Sequence, residues 1–146
     1  GTHGRSIYKV ELDLFSKYLE DSSNQNIISF LNFDEIKFSN SWGNKVIYSS
    51  ETYDANFAID LFSSKNKNFE FEILNENYKT LNQGNFNTDY GFNKIKIPII
   101  INKKFSDKYL KKIGFKSKIS DDGNRYLSKG EYILKVDNQE LKFSVK

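Results

Sequence analysis

Cysteine is absent from this chain of 146 residues, and with it every thiol nucleophile, zinc knuckle and redox pair. A cysteine-free domain suits a reducing cytosol and an exposed cell surface alike, so compartment stays open on this ground. His3 is the sole histidine, which excludes a Ser-His-Asp triad or an imidazole base in the body of the domain. Arginine is limited to Arg5 and Arg125, so the 22 basic side chains are nearly all lysine, set against 19 acidic ones for a net charge of +3. The planar arginine fork reads guanine and grips phosphate bidentately; its scarcity and the weak charge predict no nucleic-acid partner. Neither GxGxxG nor GxxxxGK(S/T) occurs, so there is no glycine-rich phosphate cradle. The longest apolar run, Ile95 to Ile101, is interrupted by Lys96 and by Pro98, the single proline, and falls far short of the roughly 20 residues of a membrane helix. No cofactor, no metal and no enzymatic activity are expected.

What is present is core material. Hydrophobic residues make up 38% and aromatics 16%, with 13 Phe and 9 Tyr, ample for a chain that buries roughly 68–70% of its unfolded surface. The abundance of Lys, Asn, Ile, Tyr and Phe is the profile of AT-rich codons, expected of a low-GC bacterial genome. The opening Gly-Thr-His-Gly-Arg-Ser, residues 1–6, has no Met and reads as a cloning scar. Residues 7–146 read as a single globular α+β domain, mainly antiparallel sheet with one to three helices.

Along the chain, Ile7 to Asp21 fits both a helical stripe and an alternating strand, and a strand running into a helix at Leu14 to Leu19 is favoured. Asn26 to Phe33 is a short apolar run of either type. Tyr53, Ala55, Phe57, Ile59 and Leu61 alternate with polar residues, as do Phe69, Phe71 and Ile73. The polar stretch Ser63 to Asn68 between them predicts an antiparallel hairpin. Asn82 to Asn93, rich in Gly and Asn, reads as a long surface loop. Ile95 to Ile101 predicts a strand covered on both faces, with Pro98 at an edge or bulge. Asn102 or Ser106 caps a helix over Lys103 to Ile113, with Phe105, Tyr109 and Ile113 on one face and Gly114 as its stop. Tyr132 to Val136 and Leu141 to Val145 form a hairpin about Asp137-Asn138.

Several constellations bear on chemistry. The carboxylate pairs Glu70 with Glu72 and Asp121 with Asp122 are the acid–base candidates, but a solvated strand face and turn chemistry account for them. A calcium loop counted from Asn85 fails, because Tyr90 stands where the turn glycine belongs and Lys96 where the closing Glu belongs. Lys103, Lys104, Lys108, Lys111, Lys112, Lys116 and Lys118 gather on and just beyond the predicted helix; they fit a solvated face, or contact with anionic lipid or an acidic partner. Trp42 with Tyr48 and Tyr53 fits a sugar- or peptide-binding platform as well as ordinary packing. No catalytic, cofactor or metal residue is assigned.

The order from Ile97 onward carries a likeness. Ile97-Pro98-Ile99-Ile100-Ile101-Asn102, then Phe105, Tyr109, Leu110, Ile113 and Gly114, then Gly130 to Val136 and Leu141 to Val145, resembles the extracytoplasmic domain of MacB/FtsX-type ABC transporter permeases. The likeness is confined to the C-terminal third, and Gly130 lies farther from Gly114 than in that family. It implies an α+β domain set between transmembrane helices at the extracytoplasmic face of a cell membrane. Such a domain binds substrate or partners and catalyses nothing, ATP being hydrolysed by a separate subunit. Its partners would be the membrane-embedded remainder of the parent chain, other transporter subunits, and a protein or peptide. The alternative is a secreted or lipid-anchored bacterial surface protein binding a host or carbohydrate ligand through the Asn82 to Asn93 loop and nearby aromatics.

Overall fold

A computed structural model describes residues 27–49 and 51–146. The expectations for residues 1–6 and for Ile7 to Asp21, including the Leu14 to Leu19 helix, lie outside the described residues.

Alternation builds two antiparallel sheets that face each other. The first has the order β1 (Ile28–Phe33), β2 (Asn56–Ser63), β5 (Gly91–Pro98). Along β2, Phe57, Ile59 and Leu61 point inward and are fully buried. They sit opposite Ile97, Ile95 and Asn93 of β5. The second sheet has the order β4 (Thr80–Thr88), β3 (Lys67–Asn75), β8 (Gly130–Val136), β9 (Gln139–Val145). Phe71 and Ile73 of β3 pair with Val136 and Leu134 of β8, all four buried. Phe57 of the first sheet stacks on Phe143 of the second, ring centroids 4.6 Å apart, so the core lies between the two inner faces. A short ribbon of β6 (Ile100–Ile101) and β7 (Arg125–Tyr126) closes one flank. At another corner Ile36 bridges Val145 in parallel. There the Phe38 amide donates to Lys146 O at 2.7 Å, tying the C-terminal strand to the segment after β1.

The fold class is therefore mainly β, and the α+β expectation is corrected. Among the described residues there are nine strands and one helix, α1 (Asp107–Lys112), of six residues. Ser106 is its N-cap, accepting the Tyr109 amide at 3.2 Å. Asn102 instead holds the preceding turn through Lys104 N at 3.1 Å. The four-residue spacing of Phe105, Tyr109 and Ile113 implied a longer helix. Phe105 lies in that turn and stacks on Tyr109 at 4.8 Å, so the apolar stripe exists with fewer helical residues beneath it. Gly114 is left-handed at φ 74°, as a helix stop requires.

Three more expectations change. β2 and β3 do not pair with each other; the chain crosses between sheets at Ser64 to Asn66. Alternation reports that a strand has one buried face and is silent on its neighbour, while a polar turn serves a corner as well as a hairpin. The corner is satisfied by hydroxyls: Ser63 Oγ donates to Lys65 O at 2.7 Å, and Thr88 Oγ1 donates to Ser63 Oγ at 3.0 Å. Asn82 to Asn93 is not a loop but most of β4 and the start of β5. Gly84 belongs in a strand because a Cβ there would lie 2.9 Å from the Phe71 ring that covers it. Asn68 and Asn87 bond across the strands at 2.7 Å. Last, Ile97, Ile99 and Ile101 are buried while Lys94 and Lys96 are exposed, so that stretch is covered on one face only. Pro98 ends β5, an edge strand as expected. The hairpin of β8 and β9 turns at Asp137 and Asn138 as read.

Candidate functional site: the groove at Trp42

The loop after Ile36 folds against the stretch from Lys116 to Ser128 and leaves a groove of about 470 Å³ between them. Trp42 is half-buried within it. Phe38 meets the indole edge-on with centroids 5.5 Å apart, and Tyr126 lies tilted at 6.1 Å. One rim carries Ser39, Asn40 and Asn44, the other Ser117, Ser120, Lys116 and Lys118.

A compact cluster sets this geometry. Asp122 begins a tight turn through Gly123, accepting the Asn124 amide and its Nδ2, each at 2.8 Å. The Tyr126 hydroxyl donates to the same carboxylate at 2.6 Å. The Asp122 amide in turn donates to Gly43 O at 3.0 Å, which fastens the Trp42 loop to the turn. Gly43 sits at φ 69°, and a Cβ there would overlap the Tyr126 ring and lie 2.7 Å from Asp122 Oδ1. Only glycine fits. Burial pushes the Asp122 carboxyl up, but the hydrogen bonds from Tyr126 and Asn124 outweigh it and hold the group below the usual carboxylate range. Burial, reinforced by the Asp122 hydrogen bond and charge, pushes the Tyr126 hydroxyl up to about 12. Asp122 is thus an ionised anchor and Tyr126 a neutral wall.

Of the aromatic platform read in sequence, only Trp42 enters the groove. Tyr53 serves through its backbone, its carbonyl accepting the Gly43 amide at 2.8 Å. Tyr48 is fully exposed at φ 65° on the hairpin that follows. Of the lysine run, Lys116 and Lys118 reach the rim and the other five do not. Glu70 is exposed, with Glu72 half-buried, along β3 opposite Asn85 and Gln83. Asp121 accepts the Lys45 amide at 3.2 Å. Neither carboxylate pair lines the groove. Asn85 and Asn87 belong to β4, and among the described residues no group of three or more His, Cys, Asp or Glu is arranged to hold a metal ion. Sequence reasoning missed Gly43, Tyr126 and the serine rim. The Asp-Asp-Gly-Asn turn was visible, whereas its contact with a glycine nearly eighty positions away has no local signature.

No family model, no curated protein and no solved structure matches this chain.

Proposed function

We propose that this chain is a non-catalytic binding domain at the extracytoplasmic face of a bacterial cell, and that its ligand occupies the groove at Trp42. One observation carries the reading: a half-buried indole, packed against Phe38 and Tyr126, stands beside rims of hydroxyl, amide and ammonium groups. This is how a site with an apolar floor and a few placed polar groups is built. No carboxylate, imidazole or thiol lines it, so the groove offers binding groups and no general base.

Two parent settings are proposed for it. The order of a strand, a Ser106-capped helix stopped by Gly114, and a final hairpin supports a MacB/FtsX-type permease, with the parent chain and transporter subunits as partners, while the mainly β fold departs from the α+β domain which that likeness implies. The groove itself favours a secreted or lipid-anchored surface protein binding a carbohydrate, here at Trp42 and not at Asn82 to Asn93. The open reading frame of the parent gene separates them: a permease needs an apolar span of about 20 residues after Lys146, and its absence overturns that setting. The groove is tested on glycan and peptide arrays with the intact protein and Trp42→Ala. Captured ligands are expected to be lost in the variant; capture unchanged by Trp42→Ala overturns the reading.

A further inference from the structure

The geometry points to a carboxylate-bearing carbohydrate as the ligand of the Trp42 groove, an inference that rests on the binding-domain reading above. The floor suits a sugar ring, whose C–H face packs on an indole. The rim suits its hydroxyls: the side chains of Asn40 and Ser120 have no hydrogen-bond partner among the described residues, and an amide and a hydroxyl both donate and accept.

The charge narrows the class. Lys116 and Lys118 are exposed and make no ion pair or side-chain hydrogen bond among the described residues. The nearby acids are engaged elsewhere, Asp122 by Tyr126 and Asn124, Asp121 by the Lys45 amide. Asp121 and Asp122 keep their charge but do not line the groove, so the two ammonium groups are the charges that face whatever enters, and a neutral sugar leaves them unused. An acidic peptide is the weaker fit. Extended peptides are taken up through free backbone groups of a strand edge, yet the amides of Trp42, Gly43, Asn44 and Ser120 already donate within the fold.

Trp42 is the one tryptophan of the chain, so its fluorescence reports on the groove directly. The 146-residue protein is titrated with a hyaluronan tetrasaccharide and with tetragalacturonate. Chitotetraose is the neutral control and tetraglutamate the acidic peptide control. A saturable change with at least one uronate oligosaccharide is expected, weakening with added salt. The double variant Lys116→Ala/Lys118→Ala, with an unchanged melting temperature, is expected to bind roughly two- to fivefold more weakly, the scale of an exposed ion pair. Equal binding of chitotetraose with no loss in the double variant overturns the acidic class and leaves the groove reading standing. A response to tetraglutamate alone overturns the carbohydrate. No response to any probe overturns both.

Discussion

At Gly43 two demands meet, a left-handed backbone and a close approach to Tyr126 and Asp122. Gly43→Ala violates both, so a loss of about 1–3 kcal/mol in denaturant unfolding is expected, together with a shift in Trp42 emission as the loop moves. A variant as stable as the parent would show that the loop is not locked there. The Tyr126–Asp122 bond has a pH signature. The hydroxyl is raised to about 12 in the folded protein, against about 10 in the unfolded chain. Its stabilisation is whole below about pH 10 and is lost as pH rises toward 12, because the unfolded chain releases the proton first. Melting temperatures of the protein and of Tyr126→Phe should therefore converge across that window. Asp122 runs the other way: held low, it contributes stability present above about pH 4 and lost as acid protonates it. Trp42 was legible in sequence as an aromatic of interest. Its partners were not, because rings and turns meet through distant chain segments that periodicity does not encode.

Among elements, alternation made β2, β9 and the first part of β3 readable, since their buried side chains fall at every second position; β8 was read the same way, although Tyr132, Ile133 and Leu134 are buried in succession. Alternation could not assign neighbours, and so paired β2 with β3. β4 was hidden by composition: Asn, Gln and Gly are poor strand formers, yet they suit an edge whose glycine is roofed by Phe71. The helix was found at its stop and at one of its two candidate caps, Ser106, and was overrun before that cap, where Lys103 to Phe105 form a turn. Its small share of the structure sets an expectation. Ser106→Ala removes the capping bond at a cost of about 1 kcal/mol and leaves the β-type circular dichroism spectrum intact. Loss of the sheet signal on that substitution would mean that α1 organises the fold, contrary to this description.

For the whole molecule, the two sheets hold together through side chains such as Phe57, fully buried and stacked on Phe143. Phe57→Ala should cost about 3–5 kcal/mol, a large part of the roughly 5–15 kcal/mol that stabilises a domain, read as a lowered denaturation midpoint. That sandwich carries the Trp42 loop and the Lys116 to Ser128 stretch, joined to each other by the hydrogen bond from the Asp122 amide to Gly43 O, and on this the proposed binding site depends. Its most direct test is amide chemical-shift mapping by NMR during titration with the uronate oligosaccharide that alters Trp42 fluorescence. Shifts concentrated in residues 38–44 and 116–128 are expected, with the indole N–H of Trp42 among the largest; shifts centred on the β4 or β5 edge, with residues 38–44 unmoved, would place the ligand elsewhere and overturn the groove as the binding site.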